Sequence, residues 1–144
     1  GTLELQNGAA ISNTGAVVLD NTAGVTLLVT NSETIGSLAG GGATGGTVQI
    51  AAGQTLTTGG ADTSTSFAGV ISGSGGLTKT GTGTFTLSGS NTYAGTTTVS
   101  GGTLELQNGA AISDSGAVVL DNTAGVNLLV TYSETIGSLA GGGA

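Results

Sequence analysis

The sequence predicts an all-β chain wound into a right-handed parallel β-helix, a β-solenoid of short strands with about 20 residues in each coil. Three observations predict this fold. Apolar and polar residues alternate with a period of two, which is typical of half-buried strands. Glycine and asparagine mark turns between these segments, and the chain has 30 glycines and no proline. A long internal repeat favours an open stack of coils over a barrel or sandwich, whose strand number is fixed.

The predicted strands are short and have one apolar face. Leu3 and Leu5 share one face of TLELQ, with polar residues on the other. The same pattern recurs in AVVLD at 16–20, TVQIA at 47–51 and TFTLS at 84–88. No segment keeps the spacing of three and four that an amphipathic helix requires, and β-branched residues dominate. SETIGSLAGGG at 32–42 is therefore interpreted as strand and corner rather than helix.

Residues 1–43 recur as residues 102–144, a shift of 101 residues. The four differences are Asn13 to Asp114, Thr14 to Ser115, Thr26 to Asn127 and Asn31 to Tyr132. All four fall at polar positions, and the apolar ones reappear unchanged. We expect residues 1–144 to form a single solenoid segment of a tandem array, with about five coils and a rise of roughly 24 Å per unit. Adjacent repeats would be its neighbours, and exposed coil edges would favour end-to-end association of two copies.

Composition excludes several classes of function. The formal charge is -7 with Lys79 as the only cation, which disfavours binding to nucleic acid or anionic lipid. No apolar run approaches the roughly 18 residues of a membrane helix, so no membrane insertion of this segment is expected. Histidine and cysteine are absent, and no serine lies in a GxSxG elbow. We therefore predict no catalytic residue, no cofactor and no metal site.

The charged residues and one glycine-rich motif have a functional and a structural interpretation. The chain has eight carboxylates, at Glu4, Asp20, Glu33, Asp62, Glu105, Asp114, Asp121 and Glu134. A carbohydrate-cleaving enzyme would need two or three of them within about 10 Å in a cleft, whereas we expect solvated charges that keep the surface soluble. Lys79 is predicted to face outward and to pair with a carboxylate of a neighbouring coil. GGGATG at 40–45 fits a dinucleotide-binding spacing, but a predicted strand follows it, which favours a corner.

Three polar or aromatic residues and a run of threonines are the remaining candidates. Tyr93 is predicted to pack its ring over a coil edge with its hydroxyl in water, and Asn91 to cap a turn. Tyr93 and Tyr132 are the two weak candidates for a surface that binds a ligand. Alternate threonines at 78–86 form a hydroxyl series similar to that of ice-binding β-solenoids, but Gly81 and Gly83 interrupt it. Such a surface would need the same threonine pair on successive coils.

Residues 75–106 carry an ordered pattern of glycines, apolar residues and an Asn-x-Tyr pair. Its members are Gly75, Gly76, Leu77, Lys79, Gly81, Gly83, Phe85, Leu87, Gly89, Asn91, Tyr93, Gly95, Thr96, Val99, Gly102, Leu104 and Leu106. This pattern resembles the passenger-associated β-strand repeat of bacterial autotransporters. Phe85 stands where leucine is usual, an apolar exchange. The resemblance implies a right-handed β-helical passenger of a Gram-negative bacterium, exported by type V secretion to the cell surface or the medium. It also implies that the repeat promotes export by folding as it emerges.

Three functions are compatible with these features. The first is a rigid extracellular stalk of an adhesin-like passenger, possessing no enzymatic activity and involved in adhesion or biofilm formation. The second is a module whose flank binds a glycan, a host surface or a matrix, which would require a groove beside Tyr93 or Tyr132. The third is a β-helical enzyme that cleaves polysaccharides, which would require converging carboxylates.

Overall fold

The computed structural model describes residues 1–143, and Ala144 lies outside the described residues. These residues form sixteen short strands and no helix. The strands are β1 Thr2–Leu5, β2 Ala16–Leu19, β3 Thr26–Val29, β4 Glu33–Ile35, β5 Ser37–Gly40, β6 Thr47–Ile50, β7 Thr55–Thr58, β8 Thr65–Phe67, β9 Ile71–Gly73, β10 Gly76–Lys79, β11 Thr84–Leu87, β12 Thr97–Val99, β13 Thr103–Leu106, β14 Ala117–Leu120, β15 Asn127–Val130 and β16 Ser138–Gly141. The four segments predicted from alternation are strands, and 32–42 contains β4 and β5. These predictions are confirmed.

The strands form three parallel sheets, which we call faces A, B and C. Face A has the order β1-β3-β6-β9, face B the order β15-β13-β11-β8-β5-β2, and face C the order β16-β14-β12-β10-β7-β4. Paired strands on face C are 20 to 23 residues apart, as in Leu77 with Thr97 and Glu33 with Leu56. The chain therefore visits each face once per turn and winds into a β-solenoid of about seven turns. The predicted all-β solenoid is confirmed.

Face A continues beyond β9 without regular strands. The amides of Thr92 and Tyr93 both donate to the carbonyl of Ile71, at 2.9 and 3.2 Å. The amide of Asn91 then donates to the carbonyl of Ala110 in the next turn. Because these contacts follow the same face, residues 91–95 and 110–112 occupy the strand positions of face A in later turns.

The core is the narrow space between the three faces. It contains one rung of apolar side chains from each turn, including Leu27, Ile50, Leu77 and Leu104, all of them inaccessible to solvent. Phe67 and Phe85 add the bulkiest apolar groups and pack in the same interior. Burial of this kind contributes roughly 1.5 to 3 kcal/mol for each large side chain, so the stack of rungs is the main source of stability.

The 101-residue unit occupies close to five coils but not a whole number of them. TLEL forms β1 on face A in the first copy and β13 on face B in the second. AVVL likewise forms β2 on face B and then β14 on face C. From β1 to β13 the chain advances by twelve strands and by two positions without a regular strand, at residues 10–11 and 91–95. These fourteen positions, at three per turn, give four and two-thirds turns for the unit. This value agrees with the expected number of about five coils, and the fraction arises because some turns are longer than 20 residues, as between Thr2 and Thr26.

Candidate functional site

The core of this solenoid is mostly apolar, but several polar side chains are buried at its corners and between its turns. These polar residues are the candidates for a functional site. Lys79 is only 1% exposed, so the prediction that it faces outward is wrong. Lys79 is two residues from Leu77 in β10, and side chains at that spacing share a face. The spacing of two residues from Leu77 therefore already indicated that the Lys79 side chain points inward.

The ammonium of Lys79 binds backbone carbonyls at a corner of the solenoid. Its Nζ donates to the carbonyl oxygens of Thr80, Gly81 and Gly101, the last two at 3.2 and 3.3 Å. Gly101 belongs to the following turn, so the contact joins two turns. Burial lowers the pKa of Lys79, and the negative charge of Asp62 opposes part of that shift.

Glu33 and Glu134 hold equivalent positions in the two copies and make the same contact. The carboxylate of Glu33 accepts hydrogen bonds from the amides of Ala10 and Ile11, at 3.1 and 3.0 Å. Glu134 accepts from Ala111 and Ile112, at 3.2 and 2.9 Å. Residues 10–11 and 111–112, which supply these amides, do not belong to a strand. The carboxylate therefore accepts the amide hydrogen bonds that the carbonyls of a neighbouring strand would otherwise accept.

The other carboxylates lie nearer the surface. Glu33 is 2% exposed, so the expectation of a solvated charge is wrong for this residue. Asp20 and Asp114 are exposed, as that expectation requires. Glu105 accepts a hydrogen bond from the Thr86 hydroxyl at 3.1 Å, a contact between outward side chains of adjacent strands. Within residues 1–143, no group of three acidic side chains is arranged to hold a metal ion.

Asn91 connects three successive turns of face A. Its Oδ1 accepts a hydrogen bond from the amide of Ile71 at 2.8 Å, and its Nδ2 donates to the carbonyl of Ala111 at 2.8 Å. The expected turn cap is wrong, because both partners lie 20 residues away in neighbouring turns. Asn91 is 4% exposed, so these bonds are made inside the stack.

The two tyrosines have opposite environments. Tyr93 is 1% exposed and its hydroxyl lies 2.6 Å from the Thr97 hydroxyl, so the expectation of a hydroxyl in water is wrong. Burial raises the pKa of Tyr93 to about 12, although the hydrogen bond to Thr97 acts in the opposite direction. Tyr132 is 62% exposed and remains accessible to a ligand, and its binding role stays a prediction.

The glycine-rich segment 40–45 is a corner, as predicted. The Oδ1 atom of Asn21 accepts from the amides of Thr44 and Gly45 at 2.9 and 3.0 Å, and strand β6 follows. A Cβ added to Gly45 would lie 1.8 Å from the carbonyl oxygen of Thr22, so only glycine permits this approach of the two turns.

A hydroxyl ladder runs across the turns of face C. Its members are Thr34, Thr57, Thr78 and Thr98, which pair in register on four successive strands. A shallow groove lies beside this ladder, where Gly76 has no side chain to fill the space. Gln54, Thr55 and Thr96 are among the residues that line the groove. From the threonine run at 78–86 only Thr78 belongs to this ladder, because the ladder runs across successive turns and not along the chain.

Comparisons with known proteins find sequence similarity to autotransporters. Residues 77–106 match the passenger-associated-transport-repeat family. The chain is 38% identical over 122 residues to the adhesin BmaC autotransporter of Brucella suis biovar 1 (strain 1330), and the match covers 81% of this chain. The chain spans only 4% of that protein's length. No solved structure shows significant similarity to the chain.

The matched repeat coincides with the central turns of the solenoid. It begins in β10 and ends with β13, so it contains Lys79 and Tyr93 with their side-chain partners. It also contains Asn91, whose partners Ile71 and Ala111 lie just outside it. Within residues 1–143 there is no helix with the length and apolar character required to cross a membrane. Residues 77–106 of this β-solenoid are thus a passenger-associated-transport-repeat, and the chain is similar in sequence to part of an autotransporter.

Proposed function

We propose that this segment is a rigid, non-enzymatic part of the shaft of an autotransporter passenger, exported to the surface of a Gram-negative bacterium. The observation that supports this function most directly is the continuous pairing of strands along faces B and C, with face A continued beyond β9 by backbone hydrogen bonds. Each turn binds the next through backbone hydrogen bonds and one apolar rung, so bending would break both. Its function is to hold a distal part of the passenger away from the cell.

The contacts of the polar residues support a structural role over catalysis. Lys79, Asn91 and Glu33 bind backbone groups of neighbouring turns, and none of them faces an open cleft. No buried side-chain nitrogen or oxygen in the described residues lacks a hydrogen-bond partner. An active site usually retains polar groups that are free to meet a substrate.

The relative that matches is called an adhesin, and this name supports an adhesive passenger as the wider context. Adhesion to a host surface or a matrix, including biofilm formation, is therefore part of the proposal for the whole protein. Tyr132 is the exposed aromatic side chain through which the flank would contribute.

The test is the length of chains that contain one, two or three 101-residue units, measured by small-angle X-ray scattering. Four and two-thirds turns at about 4.8 Å per turn predict an increment of about 22 Å for each unit, with a constant cross-section. A cross-section that grows with the number of units, or an increment that falls with each addition, would contradict the shaft.

A further inference from the structure

Equivalent residues of the two copies lie on different faces of the solenoid. Glu33 contacts its amides beside face C, whereas Glu134 makes the same contact on face A. The strand pair β1 with β3 is on face A, and the equivalent pair β13 with β15 is on face B. The second copy is thus rotated by one face, and its internal contacts are retained.

The retained contacts show that the faces are interchangeable. The register of β1 with β3 pairs Leu3 with Leu27, and the register of β13 with β15 pairs Leu104 with Leu128. The same strand pair therefore fits two different sides of the tube. A tube whose cross-section differed strongly between its sides would not accept this exchange without a change of register.

We propose that tandem units of this sequence build a shaft with threefold screw symmetry, in which each surface feature is displayed on three faces in turn. This inference depends on the proposed shaft function. Three units make fourteen whole turns, so a given residue returns to its original face after about 67 Å.

The rotation determines the surface that a partner would meet. The threonine ladder of face C is followed on the same face by Val119 and Ala140, which pair in register with it. In the next unit the ladder therefore moves to face A, and it is not continued along face C. Each unit presents its ladder, and the position of Tyr132, in a new direction, so the shaft has no single binding side.

The first experiment uses the chain of 144 residues, which contains no cysteine. Spin labels are attached to Val18→Cys and Val119→Cys, which are equivalent positions on faces B and C. The matched control is Val18→Cys with Leu129→Cys, since both of these residues point outward on face B. The control pair is separated by five turns, about 24 Å, along one face.

Electron–electron double resonance should give a longer distance for the equivalent pair than for the control pair. The equivalent pair has a slightly smaller axial separation, about 22 Å, but must also span the width of the tube. A distance equal to or shorter than that of the control would overturn the inference. If Val119→Cys impairs folding, Glu4→Cys with Glu105→Cys provides a second equivalent pair, on faces A and B.

The second experiment places Val18→Cys in every unit of a six-unit chain and couples each cysteine to biotin and streptavidin. Electron micrographs should show the labels in three directions, with the same direction recurring at every third unit. A straight rod with all labels on one side would overturn the screw symmetry and leave the shaft intact. A chain that is not a rod would instead contradict the proposed function.

Discussion

The two copies of the repeat have almost the same sequence but very different burial. Leu38 is inaccessible to solvent in the first copy, whereas its equivalent Leu139 is 61% exposed. The difference is reversed at the other end, where Leu3 is 54% exposed and its equivalent Leu104 is fully buried. Each exposed residue lies in a terminal turn, and each buried equivalent lies between two turns. Burial in this fold is therefore a property of the neighbours and not of the segment itself.

The largest expected effect compares Leu38→Ala with Leu139→Ala. Removal of a fully buried leucine should lower the free energy of unfolding by about 2 to 5 kcal/mol, because a cavity is left between turns. The same change at the exposed Leu139 should cost less than about 1 kcal/mol. Denaturant titration of both variants measures this difference. Equal losses would show that the copies are not distinguished by their neighbours.

A pH titration examines a residue that lies outside both copies and between turns. The native pKa of Tyr93 is raised to about 12 from an ordinary value of 10.0, so the stabilisation is complete below pH 10 and is lost as the pH approaches 12. The loss should reach about 2 to 3 kcal/mol. The lowered pKa of Lys79 acts in the opposite sense, because stability rises as the pH approaches 10.5.

The control for this titration is Tyr93→Phe, which keeps the ring and removes the ionisable hydroxyl. It should cost about 1 to 2 kcal/mol at neutral pH, because Thr97 loses its partner. The alkaline decrease assigned to Tyr93 should then be absent. If the variant loses stability between pH 10 and 12 as steeply as the parent chain, Tyr93 is not the group responsible.

The buried carboxylate contact gives a smaller difference between the copies. Glu33→Gln should lower the free energy of unfolding by about 1.5 to 3 kcal/mol, since an amide cannot accept two hydrogen bonds through two oxygens. Glu134→Gln should cost less, because Glu134 lies in the last turns and is only partly buried. Thermal unfolding of the two variants shows which substitution causes the larger loss of stability. A greater loss at Glu134 would contradict the contribution of burial.

The smallest effect concerns association of whole molecules. We propose that the exposed apolar residues of the terminal turns, Leu3 and Leu139, allow one molecule to stack on another end to end. Sedimentation should then depend on concentration, and Leu139→Lys should weaken the association. Val18→Lys is the control, since Val18 is 68% exposed but faces outward from the tube. Monomers at all concentrations, or equal effects of both variants, would contradict this proposal.

The alternation of apolar and polar side chains predicted where the strands lie and which of their side chains point inward. TLEL and TVQI are strands with Leu5 and Val48 inside, because a period of two separates an inner from an outer face. Repetition of the unit predicted an open stack. Neither pattern fixes the length of each turn, so the sequence did not predict that the second copy is rotated by one face.

The interior polar contacts were harder to predict because their partners are distant in sequence. The carbonyl that Asn91 binds belongs to Ala111, and one partner of Lys79 belongs to Gly101. Hydrophobic patterning assigns charged residues to the surface, which is correct for Asp20 and wrong for Glu33. Glu33 is two residues before the buried Ile35, so its inward direction could have been inferred from spacing.

Amide hydrogen exchange on a lengthened chain tests the central claim most directly, since it compares one segment with and without its neighbour. Residues 44–101 are appended after residue 144, which continues the repeat. Protection of β15 and β16 should then rise to the level of β3 and β5, because the new turns cover them. Unchanged exchange in β15 and β16, with the added residues folded, would contradict the claim that stacking on the next turn stabilises each copy.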